Sequence, residues 1–480
     1  MNDRFKDYDS EVRDLVLDFE RTVMRGGMQF FDVDELEMII DYYLEVNDIK
    51  PLEEAVRFAE KLYPDSTEVK LRRAHVAIAR KQYKSALNQL LVLHDREPEN
   101  TDLAYSLGIV YSAMGRPDEA VDQFLAASSD GWQLGRIYGN IAEEYVKKED
   151  LDTALRYYEA ALASEGHDSA TLYNYVDTCE QKGCPEVAVQ KLEDYVDHNP
   201  YSRDGWHCLG LVYIDLGLLE KAVEAFEYAL AIDKGSGETY VELAYAYELL
   251  GDVGRAASTL VQYSAVADNP LDAYRRIGTL YLRAGNNETA VIYLRKALAI
   301  RPNDISSLAA LVECYLNIGE LPMAESTLRR AEAAEQNAIE MAALANEDEE
   351  QRDENRFAHT DLLAAAAKVH EFRGDIDGAV EHYQRMIAED TCSEQHYMEY
   401  VDFLFRHRLL EDLITIAEDA LVYLPQNAFY CTYLAAAYFY TNRYNSASRM
   451  LPHVAPEELA RLCPEIMVHP LLGPLVPHAK

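Results

Sequence analysis

Residues 204–231 read DGWHCLGLVYIDLGLLEKAVEAFEYALA. Trp206, Leu209, Gly210 and Tyr213 fall at helical spacing along one stripe, and Ala222, Phe226, Ala229 and Leu230 form a second stripe beyond Gly217. The segment predicts two short amphipathic helices in a hairpin. Glycine at the break closes the first helix in a left-handed conformation at the least steric cost. A single hairpin cannot bury both of its stripes, so it needs a neighbour of the same kind.

The neighbours lie 34 residues away in either direction. Stepping by that interval from Gly115 reaches Glu149, Gly183, Gly217, Gly251, Gly285 and Gly319. Five residues further along, the same steps give Ala120, Ala154, Ala188, Ala222, Ala256, Ala290 and Ala324. An alanine held at that spacing marks two helices too close for a larger side chain. Four residues before the turn the series is Tyr111, Tyr145, Cys179, Tyr213, Tyr247, Tyr281 and Tyr315. Three registers kept in step exclude chance and predict an array of stacked hairpins.

Together, Trp206, Leu209, Gly210, Tyr213, Gly217, Ala222, Phe226 and Ala229 resemble the tetratricopeptide repeat signature, and Pro98, Pro200, Pro302 and Pro425 stand where such units often close. The resemblance is dense over 101–331, returns over 360–451, and is thinner over 33–66 and 67–100, which lack the turn glycines. It implies an all-α fold, a right-handed superhelical solenoid of antiparallel helix hairpins with about twelve 34-residue units.

The expected organisation is an N-terminal capping helix within 1–32 and an array over 33–331 of nine units, the first two degenerate. An extended helix and acidic linker follow over 332–359, then a second sub-array of three units over 360–452. A Pro-rich C-terminal cap or tail occupies 453–480, with one short helix near 456–463. The acidic run Asn346 to Asn355 reads either as a solvated excursion between units or as a tether for a basic partner. The tail reads either as a cover for the last unit or as a peptide for another copy's groove.

Composition narrows the function. Apolar residues make up 49% and charged residues 27%, the balance of a folded chain. With 45 basic against 84 acidic residues the net charge is −39, so neither nucleic acid nor a membrane surface is an expected partner. The same charge suits a basic partner or solubility alone. Seven scattered cysteines make no disulfide framework and no zinc spacing. Met1 to Ser10 is acidic and polar and no apolar run reaches membrane length, so neither a secretory leader nor a membrane span is expected and a cytoplasmic location is.

No nucleotide loop, nucleophile elbow or zinc-protease pair occurs, so neither cofactor, metal nor catalytic residue is expected. Because the repeats take up nearly all of the sequence, no separate catalytic domain is expected. His207 is read as an ordinary polar residue on a groove-facing surface.

The resemblance further implies a protein or peptide partner on the concave face, lined by the first helix of each unit. A regulatory sensor, its curvature responding to a bound peptide or small molecule, is the alternative. Self-association is left open. On the helix over 271–283, Arg275, Arg276, Thr279 and Arg283 face away from the packing stripe, and Tyr105, Tyr173 and Tyr245 supply aromatic inner positions. The arginines either clamp a carboxylate-bearing peptide or neutralise Glu238, Glu242 and Glu248 of the preceding unit. A related subgroup grips chaperone tails through Lys, Asn and Arg at inner positions. Here those positions read Tyr105 and Ile109, Gly139 and Glu143, Tyr173 and Asp177, His207 and Leu211, which argues against that ligand.

Overall fold

The computed structural model describes residues 10–24, 30–342, 349–389 and 394–477, with backbone alone at 10–11, 24, 341–342 and 349–357. Every regular element among them is helical, and the chain divides into two units, Met1–Lys234 and Gly235–Lys480.

In the first unit α1 (Ser10–Met24) leads into α2 (Val33–Glu45) paired with α3 (Ile49–Leu62), and α4 (Thr67–Ala79) with α5 (Tyr83–His94). The pairs continue as α6 (Thr101–Ala113) with α7 (Pro117–Ala127), and α8 (Leu134–Lys147) with α9 (Leu151–Leu162). They end with α10 (Ser169–Lys182) and α11 (Pro185–His198), then α12 (Arg203–Asp215) and α13 (Leu219–Ile232).

The second unit begins with α14 (Gly237–Leu249) and α15 (Val253–Val266), α16 (Leu271–Arg283) and α17 (Asn287–Ile300), and α18 (Ile305–Ile318) and α19 (Leu321–Ala342). Next come α20 (Glu349–Arg373) with α21 (Ile376–Glu389), and α22 (Glu394–Arg406) with α23 (Leu410–Tyr423). The last pair is α24 (Ala428–Tyr440) and α25 (Tyr444–Met450), before the short α26 (Pro456–Leu462) and α27 (Pro464–Met467).

Local chemistry explains the boundaries. Asn100, Asp168, Ser202 and Asp304 each accept a hydrogen bond from a backbone N–H in the first turn of the helix they precede. The turn inside each pair carries a residue with positive φ. In the first unit these are Asn47, Lys81, Gly115, Glu149, Gly183 and Gly217, and in the second Gly251, Gly285, Gly319, Gly374, Arg408 and Asn442. The 34-residue step thus runs through the pairs that lack a turn glycine. At Lys81, Glu149 and Arg408 an exposed side-chain-bearing residue takes the left-handed region, and its N–H and that of the following residue donate back to carbonyls of the first helix.

Gly217 has φ +68°, and a Cβ added there would meet no atom within 4 Å. Gly217→Val is therefore expected to cost about 1–2 kcal/mol in urea unfolding from backbone strain alone. A variant as stable as the parent would contradict the left-handed turn.

The stepped alanines, from Ala120 to Ala222 in the first unit and from Ala256 to Ala324 in the second, are all fully buried. Opposite them the first helices carry glycine at 108, 210 and 278, where a Cβ would lie 2.5–2.6 Å from Phe124, Phe226 and Leu294. Close approach of the two helices is thus built from both sides.

Two sequence expectations are corrected. Trp206 is only half-buried: its ring stacks on Tyr228 at 4.7 Å, and Nε1 donates to the Pro200 carbonyl at 3.0 Å. His207 does not face a groove but is fully buried, its ring edge-on to Phe226 at 5.5 Å. Gly205 and Gly210 lack side chains and bring α12 against Tyr195 and Phe226, and the imidazole falls into that packed layer.

The interruption of the period lies between α19 and α20. Of the acidic run, residues 346–348 are outside the described residues, whereas 349–355 form the opening of α20 instead of an irregular linker. Glutamate is a good helix former, and acidic residues suit a helix N-terminus. At the C-terminus α26, α27 and the following turn lie on the last pair. Leu459, Cys463 and Ile466 are fully buried, Tyr440 Oη donates to the Leu462 carbonyl at 3.2 Å, and His469 packs on Phe439 at 5.7 Å.

Candidate functional site

In the second unit the first helices α16, α18, α20 and α22 enclose a cavity of about 630 Å³. Successive first helices stand side by side, so a residue on the free face of each reaches the same space. Arg275, Arg276, Thr279 and Arg283 of α16 all lie on its wall, together with Glu313 of α18, Asp361 and Lys368 of α20, and His396 and Glu399 of α22.

Each basic group has an acidic neighbour. Arg275 Nη2 is 2.9 Å from Asp272, and its Nη1 is 3.9 Å from Asp304, the buried cap of α18. Arg276 Nε donates to Asp272 at 2.7 Å, while half of its side chain stays exposed. Arg283 stands 3.8 Å from Glu248 and is 66% exposed. Thr279 donates its hydroxyl to the Arg276 carbonyl at 3.0 Å, within its own helix. Arg275 is therefore tied into the fold. Arg276 and Arg283 keep donors facing the cavity, since exposed pairs of this kind are worth under about 1 kcal/mol.

Lys368 is the centre of the opposite wall, with Nζ 3.0 Å from Glu313 and 3.2 Å from Glu399. Burial works against the ammonium, and the two carboxylates more than offset it, so its pKa stands above the ordinary lysine value. Asp272 shows the same competition: burial would raise it, but Arg275 and Arg276 hold it below the usual range. Burial raises Asp361, opposed first by a hydrogen bond from Ser306, and raises Glu242 and Glu248, opposed by Arg276 and Arg283.

Lys368, Glu313 and Glu399 escaped the sequence reading. Lys368 holds the same place in 360–393 that Thr279 holds in 271–304, so carrying the inner positions past the interruption would have found it.

The aromatic candidates do not gather at this cavity. Tyr245 is exposed on α14. Tyr173, on α10, is half-buried with its ring 5.9 Å from His207. Tyr105 lies in the first unit, on a cavity of about 700 Å³ between α2, α4, α6 and the turn before α8. Its hydroxyl accepts from Asn140 at 3.0 Å, and the Arg136 guanidinium sits 5.6 Å over its ring. In the last pair Tyr433 is buried and donates to Asp402 at 2.7 Å.

Among the described residues no group of three or more His, Cys, Asp or Glu side chains is placed to hold a metal ion, and no helix is long and apolar enough to cross a membrane. Burial pushes the Cys179 and Cys314 thiols up to about 12, which keeps them protonated at neutral pH.

Sequence profiles of the tetratricopeptide repeat match residues 140–203, 203–236, 241–305 and 281–347. Tetratricopeptide repeat protein 37 of Xenopus laevis is 24% identical over 279 residues, covering 55% of this chain and 18% of the relative. The anaphase-promoting complex subunit cut9 of Schizosaccharomyces pombe is 25% identical over 221 residues, covering 44% and 33% respectively. The chain thus spans less than half the length of these relatives. Among solved structures, the Cut9–Hcn1 hetero-tetramer of APC/C aligns over 89% of this chain and 93% of its own, at 14% identity and a TM-score of 0.37.

Proposed function

From the premise that this chain is a tetratricopeptide repeat protein, we propose that it is a non-catalytic scaffold that holds a protein or peptide partner against its first helices. One observation carries the reading. Four successive first helices of the second unit converge on one cavity of about 630 Å³ whose wall presents half-free guanidinium groups. A cavity of that size takes a few side chains of a peptide, and contacts from several hairpins add up without a deep pocket. The anchor residues of this reading are Arg276 and Arg283, with Arg275 positioning Asp272 and Asp304 around them. A partner carboxylate would take donors that Asp272 and Glu248 only partly occupy. A relative named as a subunit of a complex fits a role in assembly.

The test is capture from native lysate with the parent chain and with Arg276→Glu/Arg283→Glu, followed by titration of the purified partner. Arg275 is left in place, because its loss would strip the buried Asp304 of a neighbouring charge and confuse binding with folding. The variant is expected to bind at least tenfold more weakly, about 1.4 kcal/mol, with unchanged helicity by circular dichroism. Equal affinity would remove the arginines from the interface. Failure of the parent chain to retain any protein would count against the scaffold itself.

A further inference from the structure

The cavity of the first unit has a different chemistry. The second-unit cavity balances its charge, with Asp272, Glu313, Asp361 and Glu399 set against Arg275, Arg276, Arg283 and Lys368. The first-unit cavity does not. Five carboxylates, of Glu37, Asp41, Glu45, Glu68 and Asp102, face two guanidinium groups, Arg72 and Arg136.

Arg72 is already shared, 2.9 Å from Asp41 and 4.0 Å from Glu37, and Arg136 lies over the ring of Tyr105. Burial raises the pKa values of Glu37 and Asp41 even with Arg72 between them, so the arginine does not fully compensate their loss of water.

Two further features are independent of charge. The floor is apolar, built by Leu71, Ile78 and Ile109. At the rim stands Trp132, 61% exposed, on a turn fixed by its backbone N–H donating to Asp130 at 2.9 Å. An indole left open to solvent beside an acidic wall offers its face to a cation.

We propose that the first-unit cavity is a binding site for a lysine- or arginine-bearing segment of a partner protein, its aliphatic stems on the apolar floor and its charged heads spread between the carboxylates of Glu37 and Asp41 at one end and the ring of Trp132 at the other. A long basic side chain meets each part of the site: methylenes for the floor, charge for the carboxylates, a cation for the ring. An acidic ligand would face an excess of three negative charges, and an uncharged one would desolvate the carboxylates further without compensation. The inference rests on the reading of the chain as a protein-binding array. It is tested on residues that the second-unit cavity does not use, so the two can fail separately.

The probe is a fluorescein-labelled nine-residue peptide alternating lysine and leucine, titrated by anisotropy at about 0.15 M salt, where the long-range field of the chain is screened. The reference is the same peptide with glutamate for lysine. The basic peptide is expected to bind, with Trp132→Ala and Glu37→Gln/Asp41→Asn each weakening it at least tenfold and Arg276→Glu/Arg283→Glu leaving it within twofold. Trp132 is exposed, so its alanine variant carries the test even if the double variant folds poorly. Equal affinity of the parent and Trp132→Ala would assign the binding to general surface charge and overturn the site. Preference for the glutamate peptide would overturn it as well. Displacement by spermine at matched charge would overturn the protein segment as occupant in favour of a small polycation.

Discussion

Ala222→Trp is expected to destabilise the first unit by about 3 kcal/mol or more, at or beyond the upper end of the usual cost of overpacking. Ala222 is fully buried at the crossing of α12 and α13. The partner helix has already given up its side chain there, since a Cβ at Gly210 would lie 2.5 Å from the Phe226 ring. An indole has no space to enter, so either the helices separate or Phe226 leaves its place. Each hairpin also buries the face of the next, and separation at one crossing weakens its neighbour. Urea unfolding followed by circular dichroism measures the effect. Glu224→Trp, on the exposed face of the same helix, is expected to stay within about 0.5 kcal/mol. An Ala222→Trp variant that melts with the parent would invalidate the hairpin register.

Truncation after Leu451 is expected to produce the other large effect. The segment removed carries Leu459, Cys463, Ile466, Leu472 and Val476, all buried against the last pair. Each fully buried apolar side chain contributes roughly 1.5–3 kcal/mol, so the loss is on the order of 5 kcal/mol or more. The removal also strips Thr432, fully buried, of the N–H that Ala455 donates at 2.9 Å. Phe439 and Tyr440 lose the cover of His469 and Leu462. The shortened chain should bind a hydrophobic dye, self-associate and melt earlier in its second unit. A truncated chain that stays monodisperse and melts like the parent would show that the tail is not part of the core.

The tail also illustrates how far the sequence reads. Its prolines and apolar residues predicted one short helix in either a cover for the last unit or a peptide for another copy's groove. The structure adds α27 and a hydrogen-bonded seat on α24 that no periodicity announces. In the acidic run composition suggested a solvated excursion or a tether and assigned it no regular structure, and the described part is helix, because glutamate favours helix as readily as it favours water.

The candidate site was legible only in part. The spacing of Arg275, Arg276, Thr279 and Arg283 placed them on one side of one helix, and all four line one cavity. Their value as ligand donors was not legible, since it depends on Asp304, which reaches Arg275 from the cap of α18 in the next pair, and on Glu248, which reaches Arg283 from α14 in the preceding pair. The ion triad of Lys368 with Glu313 and Glu399 joins residues 55 and 31 positions apart, beyond any local pattern.

By itself the sequence determined the hairpins, their 34-residue register and the alanine crossings. All of these arise within a single hairpin, where side-chain period, backbone preference and the packing of two adjacent helices act directly. Tertiary structure decided that the turn positions without glycine, as at Lys81 and Glu149, still take the left-handed conformation. It decided that His207 is core, and that one cavity is charge-balanced while the other keeps an acidic excess beside an open indole. Those outcomes depend on how successive hairpins stack, which sets the distance between side chains that no single repeat contains.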